Sequence, residues 1–219
     1  MTEVKICGIT NMEDALCAAR CGAAALGFIF YPPSPRYLKP EDAKEIIGAL
    51  PDKVVRVGVF VNETPEEIKR IVEYCGLDMI QLHGDESPEY CLQFPSFRVI
   101  KAVELKKEDD ISRAYSYDVA AILVDSRHAG LYGGTGQKSS WDLAGRIKEK
   151  KPLILSGGLN AENVAEAMKI VRPAALDINS GVEASPGEKD RKKMKQTFDI
   201  IRETDTAPDA QLIFKKREI

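Results

Sequence analysis

The chain has 219 residues, of which 44% are hydrophobic, 30% charged and 7% aromatic, a globular composition that excludes disorder over most of its length. The 31 basic and 34 acidic residues leave a net charge of −3. The chain therefore lacks the surplus of basic residues that is typical of nucleic-acid-binding proteins. No apolar run approaches the roughly 18 residues of a membrane span, and Glu3 and Lys5 lie where a signal peptide needs apolar residues.

Eight short apolar runs recur along the chain, and the segments between them carry the periodicity of amphipathic helices. Runs of this length, bounded by polar or glycine- and proline-rich segments, are typical of buried parallel strands. The eight runs lie near residues 3–7, 24–29, 54–60, 77–82, 97–102, 119–125, 152–155 and 174–178.

The helices between the runs are predicted from their starting residues. Thr64 precedes Pro65 and is followed by Glu67, which is the pattern of a capping box with proline in the first turn. Helix starts are predicted at Asn11, Thr64, Ser87 and Asn160, with a short helix within 106–116 and a charged terminal helix over 188–203.

Eight strand–helix units in about 200 residues predict an α/β fold, a closed (β/α)8 barrel that forms a single domain over residues 1–203. A doubly wound open sheet is the alternative, although no GxGxxG follows the first strand. Residues 204–219 form a C-terminal extension of unknown role, which Leu212, Ile213 and Phe214 are expected to tether.

The cysteine and histidine counts limit the kinds of site that are possible. Five cysteines are an odd number and contain no CxxC pair, which favours free thiols in a reducing compartment and therefore the cytoplasm. The two histidines, His83 and His128, stand in no metal-binding spacing, so no metal site is predicted.

In such a barrel the chemistry lies where the strands end, which directs attention to Cys7 and Asp125. Cys7 ends the first run and shares a strand face with Lys5, so its thiol could be a nucleophile or a general base if a nearby cation lowers its pKa. The alternative is an inert buried cysteine.

Asp125 ends the run VAAILV and is either an acid–base group or a solvated carboxylate. The glycine-rich segment 129–137 after it could cover the barrel mouth.

Two glycine loops follow the seventh and eighth strands, and they predict a phosphate site. Gly157 and Gly158 lie in the first loop, and Asn179, Ser180 and Gly181 lie in the second. Glycine allows the backbone to approach an anion, and barrels often bind phosphate at this position. The alternative is that these glycines only form tight turns.

Three further side chains are candidates for binding a substrate. Arg36 lies in YPPSPRYL, where three prolines stiffen the loop and preorganise the guanidinium for a carboxylate or phosphate. His83 follows the fourth strand and could contact a ligand. Asp177 lies in the eighth strand, where it could bind a substrate or order the next loop.

The loops together resemble the phosphoribosylanthranilate isomerase family. The resemblance covers nearly the whole chain in order, through KICGIT (5–10), GFIFYPPSPRYL (27–38), VGVFVN (57–62), QLHGDE (81–86), LVDS (123–126), GGTG (133–136), LSGGLN (155–160) and SGVEASPGEKD (180–190). Asn179 stands where a serine is frequent, and QKSSWDL departs from the usual form before the sixth helix.

This resemblance implies a TIM barrel that performs an Amadori rearrangement without a metal or organic cofactor. N-(5-phosphoribosyl)anthranilate would become 1-(2-carboxyphenylamino)-1-deoxyribulose 5-phosphate. The family's general base falls on Cys7, its general acid on Asp125 and its anthranilate-binding arginine on Arg36. Its phosphate loops fall on Gly157–Gly158 and Ser180–Gly181.

Two alternative functions remain open from the sequence. Another phosphosugar enzyme, such as an epimerase, is one, and a catalytically inactive phosphosugar-binding barrel is the other. The expected partner is a small phosphosugar, with no nucleic acid and no membrane, and the chain is expected to be a monomer or a homodimer.

Overall fold

The computed structural model describes residues 1–95, 98–125, 136–205, 212–214 and 216. Eight parallel strands close into a barrel in chain order, and β1 pairs with β8 to complete it. Helices lie between consecutive strands, so the predicted (β/α)8 TIM barrel is confirmed and the open sheet is wrong.

The eight predicted strands all form, and their bounds differ from prediction by one or two residues. The strands are β1 (Glu3–Ile6), β2 (Ala25–Ile29), β3 (Val55–Phe60), β4 (Met79–Leu82), β5 (Val99–Val103), β6 (Ala121–Asp125), β7 (Leu153–Ser156) and β8 (Ala175–Ile178). A hairpin follows the barrel strands and consists of β9 (Glu183–Ser185) and β10 (Glu188–Lys189).

The helices around the barrel bury one apolar face each, as their periodicity requires. They are α1 (Met12–Cys21), α2 (Pro40–Gly48), α3 (Pro65–Cys75), α4 (Pro88–Cys91), α5 (Asp109–Tyr115), α6 (Gly136–Ile147), α7 (Val164–Val171) and α8 (Arg191–Thr204). The side chains of Asn11, Thr64 and Ser87 each accept a backbone N–H at the start of their helix, as predicted.

Three helix starts differ from the sequence prediction. The second hydrogen bond of the capping box, from the backbone N–H of Thr64 to the Glu67 carboxylate, is absent among the described contacts. The Glu67 carboxylate binds Arg70 instead. Asn160 lies in a turn and accepts the N–H of Glu162, and α7 begins only at Val164. The terminal helix begins at Arg191, since Glu188–Lys189 pair with β9 and Asp190 caps the helix with its carboxylate.

The amino end of the barrel forms an apolar floor with which the C-terminal extension makes contact. Ile213 and Phe214 are buried in the same cluster as the first residues of several strands, among them Val55, Met79 and Ala175. The Glu3 carboxylate accepts the backbone N–H groups of Ile213 and Phe214 at 2.6 and 3.1 Å. Leu212 is 61% exposed and so contributes little to this contact.

The described helices and the cysteines can be compared with two predictions made from composition. No helix there is both long and apolar enough to cross a bilayer. All five cysteines are free thiols, as their number and spacing predict.

Candidate active site

The carboxyl ends of the strands bring Cys7 and Asp125 to the same mouth of the barrel. Cys7 directly follows β1 and is 4% exposed, whereas Asp125 ends β6 and is partly exposed. Around the closed barrel, β6 and β1 are separated by two strands, β7 and β8. A sugar between these two strands could therefore meet a thiol on one side and a carboxyl group on the other.

A buried lysine stands next to the Cys7 thiol. Lys5 is fully buried, and its Nζ lies 2.8 Å from Oδ1 of Asp177 on the adjacent strand. The Cys7 sulfur and the Lys5 ammonium both lie beside Gly27 of the neighbouring strand. Asp177, a candidate for substrate binding, thus binds a side chain of the protein through at least one of its carboxylate oxygens.

The electrostatics of Cys7 differ from the expectation of a lowered thiol pKa. Burial raises the pKa of Cys7 above its ordinary value, since it disfavours the charged thiolate. The charges of Lys5 and Lys189 lower the pKa, and Asp177 raises it, but burial outweighs the two lysines. In the protein without substrate, the thiol form therefore predominates at neutral pH.

Gly27 in β2 leaves the space that these two side chains occupy. A β-carbon at Gly27 would lie 2.8 Å from Sγ of Cys7 and 3.0 Å from Nζ of Lys5. Both distances are too short for an unstrained contact. The glycine is thus required by the site, although the sequence analysis assigned it no role.

Arg36 reaches the mouth from the proline-rich loop, but its guanidinium already has a partner within the chain. Its Nε and Nη2 donate to the two carboxylate oxygens of Glu183 at 2.8 and 2.6 Å. The loop returns tightly, because Leu38 donates its N–H to Ile29 and Ser34 Oγ accepts the N–H of Arg36. Glu183 therefore orients the guanidinium before a substrate carboxylate arrives.

Lys189 joins this arginine pair to the loop after β8. Its ammonium donates to Oε1 of Glu183 and to Oδ1 of Asn179, both at 2.9 Å. Burial raises the pKa of Glu183, but the hydrogen bonds from Arg36 and Lys189 outweigh it and lower the pKa to about 2. Asn179 also packs against Gly8, where a β-carbon would lie 2.8 Å from its Oδ1.

His83 follows β4 and contributes a ring to the same mouth. Its Nδ1 lies 2.8 Å from Nε2 of Gln81, and its backbone N–H donates to Phe60. Burial lowers the pKa of His83, while the nearby charges of Asp125 and Asp177 oppose that shift. The ring is therefore neutral at pH 7 and lies in the electrostatic neighbourhood of both carboxylates.

A second buried lysine supports the loops that carry His83. Lys101 donates to a carboxylate oxygen of Glu86 at 2.8 Å and to the carbonyls of Gly84 and Leu82 at 2.7 and 3.3 Å. Glu86 in turn accepts the N–H groups of Gly84 and Asn62. This network fixes the turns after β3 and β4.

The two glycine loops lie against each other at the carboxyl ends of β7 and β8. Gly157 and Gly158 have φ values of 103° and 66°, which favour glycine over residues with a side chain. A β-carbon at Gly181 would lie 1.9 Å from the carbonyl oxygen of Leu159, so the loops touch there. Ser180 begins a short 3₁₀ turn (Ser180–Val182), an arrangement that barrels use for phosphate.

Some expectations fall on residues that the structure does not describe. The segment proposed as a cover spans 129–137, of which residues 129–135 lie outside the described residues, as does His128, while Gly136 and Gln137 begin α6. Among the described residues, no group of three or more histidine, cysteine, aspartate or glutamate side chains could hold a metal ion.

Comparison with known proteins gives one consistent set of relatives. The family model described as N-(5'phosphoribosyl)anthranilate (PRA) isomerase matches residues 4–200. The chain is 54% identical to the N-(5'-phosphoribosyl)anthranilate isomerase of Syntrophus aciditrophicus over 202 residues, which are 92% of this chain and 88% of that protein.

Two solved structures extend the likeness to three dimensions. One is a phosphoribosyl anthranilate isomerase in complex with reduced 1-(o-carboxyphenylamino)-1-deoxyribulose 5-phosphate, with 45% identity and a TM-score of 0.83 over 93% of this chain and 100% of that chain. The other contains mutually generated monomers of the dimeric enzyme from Thermotoga maritima. It has 44% identity and a TM-score of 0.81, with the same two coverages.

Proposed function

The chain belongs to the N-(5'-phosphoribosyl)anthranilate isomerase family, and we propose that Cys7 is the general base and Asp125 the general acid of that reaction. The reaction converts N-(5-phosphoribosyl)anthranilate to 1-(2-carboxyphenylamino)-1-deoxyribulose 5-phosphate in tryptophan biosynthesis. The observation that carries the assignment is the position of the two groups, on strands three apart around one mouth beside the glycine loops.

The chemistry needs one proton delivered and one removed. Asp125 donates its proton to the ribose ring oxygen, the C–O bond to the anomeric carbon breaks, and the nitrogen lone pair completes an iminium. The Cys7 thiolate then takes the proton from the neighbouring carbon, which gives an enolamine that tautomerises to the ketone. Each group can contribute about 10²–10⁴-fold to the rate.

The proposed mechanism requires a protonation state of Cys7 that is rare in the protein without substrate. The active form carries a thiolate and a protonated carboxyl group, whereas burial keeps Cys7 largely as the thiol. An ordinary aspartic acid, moreover, loses its proton far below the pH at which a thiol does. Only a small fraction of molecules then holds both required states, and any group that stabilises the thiolate raises this fraction.

The remaining residues bind the ends of the substrate. We assign the phosphate to the loops that contain Gly157, Gly158, Ser180 and Gly181, and the anthranilate carboxylate to Arg36. Asn179 and Lys189 support the second loop, and Glu183 holds the arginine in place. His83 is proposed to contact the sugar from β4. Binding at both ends supplies the energy that positions the sugar between Cys7 and Asp125.

The alternative of an inactive phosphosugar-binding barrel is disfavoured by the presence of both proton-transfer groups.

The free thiols are consistent with a reducing compartment, and we propose the cytoplasm as the site of action. A dimer is proposed by similarity to the Thermotoga maritima enzyme, which is described as dimeric.

The experiment that tests the function follows the loss of substrate fluorescence with freshly prepared N-(5-phosphoribosyl)anthranilate. We expect turnover by the native chain, and rescue of a tryptophan auxotroph that lacks only this isomerase. Cys7→Ser and Asp125→Asn should each lower kcat by at least about 100-fold. Their melting temperatures should stay within a few degrees of the native value. A variant that retains near-normal kcat would remove its residue from the mechanism.

A further inference from the structure

Lys5 and Asp177 form an ion pair beneath the Cys7 thiol. The two residues are directly opposite each other in the register of β1 and β8, and their charged atoms are 2.8 Å apart. Cys7 stands two residues after Lys5, so both side chains point to the same face of the strand. Gly27 on the adjacent strand leaves the space in which the ammonium and the sulfur meet.

A buried lysine is costly to the fold unless its charge is matched by acceptors. Lys101 shows how this barrel satisfies such a charge, with a carboxylate and two backbone carbonyls around its three N–H donors. Lys5 differs from Lys101, because its ammonium donates to the Asp177 carboxylate and lies beside the sulfur of Cys7, both being next to Gly27. Sulfur is a weak acceptor as a thiol, and it becomes a strong one only as a thiolate.

We propose that the Lys5 ammonium is the countercharge that holds Cys7 as a thiolate during turnover, and that Asp177 fixes the ammonium in that position. The inference rests on the proposed role of Cys7 as the general base. Lys5 keeps its proton throughout, and the proton taken from the substrate carbon goes to Sγ. Lys5 and Asp177 are positioning residues, since each acts through Cys7.

The charges around Cys7 predict opposite effects for the two residues. Lys5 on its own strand and Lys189 on β10 lower the pKa of Cys7, and Asp177 on β8 raises it. Removal of Lys5 should therefore disfavour the thiolate, and neutralisation of Asp177 should favour it. A merely structural pair would not produce shifts of opposite sign.

The test measures the titration of Cys7 through the ultraviolet absorbance of its thiolate. Each protein is compared with the same protein carrying Cys7→Ala, so that tyrosines and the other four cysteines cancel. We expect Lys5→Met to raise the titration midpoint and to lower kcat at least about tenfold, with a much smaller change in KM. Asp177→Asn should lower the midpoint.

Two further variants keep the test decisive. Lys101→Met removes a buried lysine that is not among the charges acting on Cys7, and it should destabilise the protein without moving the Cys7 midpoint. If Lys5→Met does not fold, the double variant Lys5→Met/Asp177→Asn removes both charges and should still raise the midpoint, since Lys5 is the larger influence.

Two results would overturn the inference. Midpoints that do not move, or that move in the same direction for Asp177→Asn and the Lys5 variants, would show that Lys5 does not stabilise the thiolate. Failure of the proposed function looks different, because Cys7→Ala would then retain near-native turnover whatever the titrations show.

Discussion

Arg36 and Glu183 are joined by two hydrogen bonds of 2.8 and 2.6 Å, so the arginine assigned to the substrate carboxylate is already oriented by an acid of the protein. The planar guanidinium holds its N–H donors in a fixed fork, and this fork matches the two oxygens of the Glu183 carboxylate. The pair thus fixes the orientation of the guanidinium before the substrate binds. It also reduces the conformational entropy that the arginine loses when the substrate binds.

Arg36→Met is predicted to raise KM roughly tenfold or more and to lower kcat much less, because the contact exists in both the ground and transition states. Steady-state kinetics with saturating and limiting substrate separate the two effects. Arg56→Met is the matched control, since Arg56 pairs with Asp78 at the amino end of the barrel. An unchanged KM in Arg36→Met would exclude the arginine from substrate binding.

The stability of the protein is predicted to fall as the pH is lowered from about 4.5 towards about 2, through protonation of Glu183. Its pKa is depressed in the folded state, so the carboxylate stabilises the fold fully above its ordinary pKa and loses this effect as the pH falls through the folded value. Denaturant unfolding at several pH values measures the slope. Glu183→Gln should reduce that slope, and an identical slope in the variant would contradict the assignment.

The activity profile is predicted to be flat across neutrality and to fall at alkaline pH, with Cys7 determining the alkaline limb. Burial raises the pKa of the Cys7 thiol, and an aspartic acid ordinarily titrates far below a thiol, so between the two the active fraction is constant. If the thiol were the more acidic group, Cys7 would instead determine the acidic limb and Asp125 the alkaline limb. The dependence of kcat/KM on pH should be measured above neutrality, where the substrate phosphate no longer titrates. An alkaline limb that is unchanged in Asp177→Asn would argue against the assignment to Cys7.

Gly27→Ala is predicted to lower kcat at least about tenfold, because the added carbon displaces the Cys7 sulfur or the Lys5 ammonium from its position. Gly48→Ala provides the control, since nothing lies within 4 Å of a β-carbon at that helix position. The control should be neutral or slightly stabilising, as alanine favours helices. Kinetics and melting curves of both variants would show whether the loss is specific to the site.

The double variant Ile213→Ala/Phe214→Ala is predicted to lower the free energy of unfolding by a few kcal/mol, at roughly 1.5–3 kcal/mol for each buried side chain. Leu212→Ala should change it by less than about 0.5 kcal/mol, since Leu212 is largely exposed. Denaturant unfolding compares the two proteins, and kcat should be unaffected in both. Equal stability of the double variant and the native protein would mean that the extension does not stabilise the floor.

The sequence was sufficient to predict all eight strands and most helices, because short apolar runs and capping residues are local signals. Helix α2 lacks a side-chain cap at Lys39, and its start is marked only by Pro40 and by acidic residues in the first turn, which the sequence analysis did not use. The candidates Cys7 and Asp125 follow from their positions at strand ends, and Arg36 follows from its proline-rich loop. The partners of these residues could not be predicted, because Glu183 lies 147 residues from Arg36, and nothing in the local pattern connects the two.

The pairing of Lys5 with Asp177 also has a consequence for how the chain folds. These residues are separated by 172 positions, and they join the first strand of the barrel to the last. The charge of Lys5 can therefore be matched only after β8 has docked, so fragments that end before Asp177 leave an unpaired ammonium in the interior. Contacts this distant in sequence slow folding. Closure of the barrel and assembly of the thiol site are then a single late event during folding.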